Sequence, residues 1–172
     1  MNLFQILEKR KSIRQFVPDK KIPEGDIKKI LKAISLAPSA GNLQSYKVFA
    51  IKNKDKRIGF AKFCNRQNPE FIPSSSLILV FCTNPKNAKE RFGVRGENLY
   101  SVQDATIAAS FAVLAATALG YGSCWVGSFQ EEPVKKILRT KLLPVAALII
   151  GFGNEDPERK ARKPQEEMVE YI

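Results

Sequence analysis

The sequence contains no histidine, and only three cysteines in 172 residues. Without an imidazole, no Ser-His or Cys-His nucleophile pair can be assembled within the chain. Cys64, Cys82 and Cys124 are odd in number and form no C-x-x-C. That argues against a disulfide framework and against a zinc site. G-x-G-x-x-G and G-x-x-x-x-G-K-[ST] are also missing, so neither a dinucleotide fingerprint nor a P-loop is present. No repeat or low-complexity tract occurs. The expected buried helix Ala105–Leu119 has fifteen residues, short of the roughly 20 needed to cross a bilayer. No membrane span is therefore expected. The opening MNLFQILEKRKS becomes charged within eight residues, unlike a signal peptide, and a cytoplasmic location is the default expectation. Any chemistry is expected to belong to a cofactor.

What is present is an ordinary globular composition, 44% hydrophobic and 26% charged, long enough for one domain with a core. The net charge of +11 is unevenly placed. Residues 1–66 carry 16 Lys and Arg against 5 Asp and Glu, whereas residues 67–172 carry 12 of each. Such asymmetry suits an anionic partner, whether nucleic acid, an acidic surface or a phosphorylated small molecule. On charge alone a solvated lysine-rich surface also accounts for it.

Asn2 and Gln5 have capping-box spacing, with Leu3, Ile6 and Leu7 on one helical face. Pro23 opens a helix in which Ile27, Ile30, Leu31 and Ile34 recur at i, i+3, i+4 and i+7, ended by Ala37-Pro38. Ser39–Ser45 is a loop. Strands are expected at Lys47–Lys52, Leu77–Cys82, Ser123–Val126 and Val145–Phe152, the second and last as continuous apolar runs. Lys56–Asn65 is weakly helical, and Gln67–Ser76 reads as loop. Pro85, Gly93 and Gly96 make 84–101 irregular, with Asp104 near the start of Ala105–Leu119. That helix is apolar all round and so expected at the centre. Pro133–Leu138 begins a short helix, and the tail from Asn154 is polar. Strands and helices do not alternate regularly, which predicts an α+β sandwich rather than a doubly wound sheet.

Four segments could carry chemistry. In Arg10-Lys11-Ser12-Ile13-Arg14, residues 10, 12 and 14 share a face if extended, and two guanidiniums with a hydroxyl make an anion clamp. Ala37–Ser45 offers small residues for close approach and the amides of Asn42 and Gln44 for a polar ring edge; an ordinary turn uses the same residues. Gly120–Ser128 brings Trp125 and flexible backbone beside a strand, although Trp125 also reads as core. Lys160-Ala161-Arg162-Lys163-Pro164 is a second basic cluster, or a solvated tail. Cys124 reads as a buried structural thiol.

Taken in order, RKSIRQF, APSAGNLQSYKVF, QDATIAASFAVLAATALGYGSCWVGSF, IIGFGNEDP and KARKPQEEMVEY resemble the FMN-dependent nitroreductase family nearly end to end, least over 53–100. The resemblance implies a nitroreductase-like α+β sandwich. A central, mainly antiparallel sheet would be flanked by helices, with the apolar helix at a homodimer interface. Residues 1–172 would form a single FMN-binding domain, with an arm from about 154 to 172 crossing to the partner. By the same resemblance Arg10, Lys11, Ser12 and Arg14 bind the FMN phosphate and ribityl chain, completed by Lys160 and Arg162. Pro38, Ser39, Ala40, Asn42 and Gln44 belong to the loop that the other subunit lays on the flavin. Trp125, Val126 and Gly127 lie beside the ring. The N-x-Q-P-W pattern of the family stands here as Asn42-Leu43-Gln44-Ser45-Tyr46, with Ser and Tyr replacing Pro and Trp. The implied reaction is NAD(P)H-driven, ping-pong reduction of a small-molecule acceptor such as a nitroaromatic or quinone. No side chain is assigned a catalytic role and no metal is implied.

Two other readings remain. A flavoprotein of this fold could perform dehalogenation, dehydrogenation or flavin handling. A nucleic-acid-binding module could use the basic first third, but aromatics are not interleaved with its Lys and Arg, and no nucleic-acid motif is present.

Overall fold

The computed structural model describes residues 1–65 and 69–172. Four strands form one antiparallel sheet in the order β1-β2-β4-β3: β1 (Tyr46–Ile51), β2 (Leu77–Thr83), β3 (Gly122–Val126) and β4 (Pro144–Gly151). β2 and β4 lie inside, and every residue of β2 is buried. Side chains alternate between the two faces of a strand. Leu77, Leu79 and Phe81 join Leu148 and Ile150 under α2 (Glu24–Ser35) and α6 (Ser101–Ala118). Ile78, Val80 and Cys82 join Ala147 and Ile149 on the other face, against α3 (Lys54–Ala61), α4 (Phe71–Ser74) and α7 (Glu131–Leu138). With both faces covered, neither inner strand has a polar side to alternate with, hence the uninterrupted apolar runs. The sheet is wholly antiparallel and helices cover both faces, in agreement with the α+β sandwich expected.

The capping box forms: Asn2 Oδ1 accepts from Gln5 N at 3.0 Å, and Asn2 N donates to Gln5 Oε1 at 2.8 Å. It starts α1 (Leu3–Lys9), yet no residue of this helix is buried, and Phe4 is 73% exposed. The α2 periodicity holds at Ile27, Ile30 and Ile34, whereas Leu31 stays exposed.

Residues 84–101 differ from expectation. Pro85 caps α5 (Lys86–Arg95), and a π-helical turn over Gly96–Tyr100 leads directly into α6. Pro85 stands where a helix tolerates proline, and Gly93 takes φ +62° to absorb a kink between two helical pieces. Residues that read as breakers therefore join helices. α6 consequently starts at Ser101 and has 18 residues rather than fifteen. The helical path Lys86–Ala118 is long and apolar enough to cross a membrane by length and composition. Eight residues of α6 are nevertheless buried within the fold, and Ala105, Ala108, Ala109, Ala112 and Ala116 are fully enclosed in the core shared with α2 and the sheet. The loop expected from Gln67 begins outside the described residues, and its later part contains α4.

Candidate functional site

The segment after α1 docks beside the edge strand β3. Ile13 N donates to Ser123 O at 2.9 Å, Ser12 bridges Ser123 in parallel, and Val17 N donates to Phe152 O at 2.8 Å. This close approach depends on glycine. A Cβ on Gly122 would sit 2.9 Å from Ile13 Cγ2, inside van der Waals contact. Ile13 and Phe16 point into the core, leaving Ser12 and Arg14 on the outer side.

The chain leaving β4 returns to the same place. Asn154 N donates to Gln15 O at 2.9 Å, and Glu155 Oε1 accepts from the backbone N–H of Arg14 and of Gln15. Lys11 Nζ pairs with Asp156 at 2.7 Å. Arg159 donates to the carbonyls of Leu7, Glu8 and Arg10. It thus caps the C-terminal end of α1, where unpaired carbonyls favour a cation.

These contacts form a cavity of about 270 Å³ whose cationic walls are Arg10, Lys11, Arg14, Arg159, Lys160 and Arg162. Ser12 lines it too, and Glu158 is an acid on its wall. Burial first, and then the guanidiniums of Arg159 and Arg162, hold the pKa of Arg10 below its usual value. Cations that repel one another in a concavity are stabilised by an anion entering among them, and guanidiniums match phosphate oxygens in a bidentate way.

Arg10 and Ser12 also line a second cavity of about 330 Å³, walled by Leu7, Val113, Leu114 and Trp125. A basic chamber thus adjoins an apolar one with an aromatic wall. The pair suits a ligand with a phosphate at one end and a flat, mostly apolar group at the other. The donor set therefore fits a flavin mononucleotide by chemistry.

A profile described as the nitroreductase family matches residues 7–154. The chain belongs to the nitroreductase family. Among its relatives is a protein of Archaeoglobus fulgidus, 35% identical over 84% of this chain and 77% of its own length, whose assigned name is NADH dehydrogenase/NAD(P)H nitroreductase. An FMN reductase [NAD(P)H] of Bacillus subtilis is 27% identical over 93% of this chain and 69% of its own. Among solved structures, a nitroreductase family protein from Clostridium novyi NT superposes with a TM-score of 0.81 at 28% identity, covering 93% of this chain and 89% of that one.

In this nitroreductase fold, the two basic clusters from opposite ends of the chain meet at one cavity. The 38–44 loop stands apart: Pro38, Ser39, Ala40, Asn42 and Gln44 line neither chamber of the same chain. The loop is tightly ordered. Gly41, Asn42 and Gln44 all have positive φ, and the Gln44 amide turns back onto Asn42 Oδ1 at 2.8 Å and Ser39 Oγ at 3.4 Å. Asn42 and Gln44 accept left-handed backbone at some cost. Asp104 holds the loop from beneath. Buried within α6, it accepts from Ala40 N at 2.9 Å and from Ser45 N at 3.1 Å. Tyr46, in the position of the family tryptophan, donates its hydroxyl to Ile34 O at 3.0 Å. Burial, and next the Asp104 charge, push its pKa up.

Of the ring-side trio, Trp125 lines the apolar chamber and Gly127 is exposed. The Val126 side chain is buried in the core, so only its backbone faces outward. Arg159 and Asp104 were not singled out in the sequence. Arg159 lies in the run Arg159-Lys160-Ala161-Arg162, and the basic cluster could have been extended by one residue to include it. Asp104 is an acid in an otherwise uncharged helix, a signal for a buried polar partner.

Proposed function

We propose that this chain is an FMN-dependent NAD(P)H oxidoreductase that works as a homodimer and reduces small electron acceptors of the nitroaromatic or quinone type. The observation that carries the reading is the adjoining pair of chambers, one basic and one apolar, joined at Arg10 and Ser12. In this reading Arg10, Arg14, Lys160 and Arg162 hold the phosphate, with Arg159 beside them. A phosphate carries a charge near −2 at neutral pH, so several cations can share it. Lys11 contributes charge tempered by Asp156, and Ser12 Oγ meets the ribityl chain. Trp125 and the backbone of Val126 and Gly127 lie along the ring.

Bound there, FMN would accept hydride from NAD(P)H and return electrons to the acceptor. The protein supplies binding, orientation and exclusion of water; its lack of histidine is no obstacle to such chemistry. The family name, together with relatives named NAD(P)H nitroreductase and FMN reductase, supports this class of reaction.

Three features support a homodimer. No residue of α1 is fully buried in its own chain, and Leu3, Phe4 and Leu7 are exposed. The tail after residue 154 ends in the exposed Met168, Val169, Tyr171 and Ile172. The 38–44 loop is braced but away from its own chambers, as a loop serving the partner's flavin would be. The C-terminal arm then crosses to the partner, and residues 1–172 act as one domain. Use of a soluble reduced nucleotide places the work in the cytoplasm.

Anaerobic titration of the flavin-loaded protein with NADH and with NADPH tests the reading. Bleaching of the flavin absorbance by at least one nucleotide, and its return with a quinone, is expected. Failure of both nucleotides to bleach it would overturn the proposed activity while leaving flavin binding standing.

A further inference from the structure

The flavin chambers use cations from the two ends of the chain, and most of the excess charge of residues 20–62 lies elsewhere. Part of it lines a separate cavity of about 460 Å³, the space between the start of α2, the β1–α3 turn and the residues entering β2. Its cations are Lys20, Lys21, Lys52, Lys54 and Arg57, and its acids are Asp19 and Glu24. It shares no residue with either flavin chamber. Both acids are already engaged: Asp19 pairs with Lys54 at 2.8 Å and Glu24 with Lys52 at 2.5 Å. Among the described residues Lys20, Lys21 and Arg57 have no carboxylate partner, although the Lys20 ammonium also lies over the Phe152 ring, 4.0 Å from its centroid.

Arg57 is the unusual member. It is only 6% exposed. Its Nη1 donates to Lys52 O at 2.5 Å and its Nη2 reaches Pro73 O at 3.5 Å. Nε is buried without an acceptor, and among the described residues no carboxylate forms an ion pair with this guanidinium. A buried cation lacking a counter-ion is costly. Burial holds its pKa below the usual value, with Asp19 pulling only partly the other way. The first residues of α2 and α3 also line this space, and helix starts carry partial positive charge.

We propose that this cavity is a second ligand site, for a compact organic diphosphate. The three uncompensated cations match a multiply charged anion. Lys20 and Lys21 reach it from the rim and Arg57 anchors it from the wall. Ser75 and Ser76 lie alongside, but their hydroxyls donate to Ile72 O and Lys20 O and serve the loop rather than the ligand. The apolar part of the lining is aliphatic, Ile22 and Ile27, with no aromatic side chain. The site therefore selects charge and size rather than a stacked base.

The test is calorimetric titration of the FMN-saturated protein with inorganic pyrophosphate, against sodium chloride at matched ionic strength. It is repeated on flavin-free protein, so that it does not depend on the flavin reading. Stoichiometric binding with flavin absorbance unchanged is expected. The double variant Lys20→Gln, Lys21→Gln should weaken it by roughly tenfold or more, as expected for two lost charge-assisted contacts. Arg57→Lys should weaken it too if that variant folds. The pair Lys135→Gln, Lys136→Gln, on a basic surface that shares no residue with this cavity, should leave it unchanged. Absent binding, equal loss in both double variants, or release of flavin during the titration would each overturn the proposal.

Discussion

Asp104→Asn isolates how the 38–45 loop is held. The carboxylate is 1% exposed and accepts two backbone N–H groups, Ala40 at 2.9 Å and Ser45 at 3.1 Å. An asparagine keeps the shape but offers one acceptor oxygen. Its amide nitrogen would face a second N–H, donor against donor. Hydrogen bonds to charged groups contribute about 1.5–3 kcal/mol each, and an unsatisfied buried donor costs about 1–3 kcal/mol. Loss of one bond and weakening of the other therefore predicts destabilisation of about 2 kcal/mol. For a chain of this length that lowers Tm by about 4–8 °C. The loop is proposed to cover the partner's flavin, so FMN affinity should fall as well, although no side chain of the basic cavity has changed. Thermal melting by circular dichroism and FMN titration by fluorescence quenching measure the two effects. A variant that melts within about 1 °C of the parent and binds FMN equally well would refute the bracing role of Asp104.

Other outcomes follow from the same contacts. Arg14→Ala with Arg162→Ala removes two exposed cations from the basic cavity proposed for the phosphate. At the low end of the range for charged hydrogen bonds this costs about 3 kcal/mol, roughly 100-fold in FMN affinity, with secondary structure by circular dichroism unchanged; a loss below about threefold would place the phosphate elsewhere. Gly122→Ala sets a methyl 2.9–3.1 Å from three Ile13 atoms and forces the 12–14 segment off β3. Overpacking predicts a loss of about 1–3 kcal/mol with weaker flavin binding, seen in denaturant melts and FMN titration. Tyr121 donates to Asp26 at 2.6 Å, and burial, followed by that hydrogen bond, pushes its pKa up to about 12. The unfolded chain loses this proton near pH 10.0, so the stabilisation is complete below that pH and is lost as pH rises towards 12. Tyr121→Phe should lower Tm at neutral pH and flatten the fall of Tm between those limits; an equally steep fall would exclude Tyr121 as a source of it.

Much of the architecture was legible because it rests on local signals. The Asn2–Gln5 box, the isoleucines behind Pro23 and the apolar runs of β2 and β4 each depend on neighbours in sequence or on periodicity. The two basic segments, Arg10–Arg14 and Lys160–Arg162, were paired by family resemblance, and the structure brings them to one cavity. What escaped involves partners distant in sequence. Asp104 looks like a helix-start acid until its donors prove to be Ala40 and Ser45, 64 and 59 residues away. Arg159 looks like one more tail charge until it caps α1, some 150 residues earlier. Gly93 read as a breaker because composition does not reveal that a positive φ can join two helices. The lysines of residues 20–54 read as solvated surface because only the fold gathers them around Arg57.

FMN is proposed to seat its phosphate in the cavity that joins Arg10–Arg14 to Lys160 and Arg162. The most direct measurement is the absorbance spectrum and released-flavin analysis of purified protein, followed by titration of the stripped protein with FMN and with riboflavin. A yellow protein with one FMN per chain is expected, with far weaker binding of riboflavin, which lacks the phosphate. A colourless protein that takes up neither, or one that binds both equally, would contradict it.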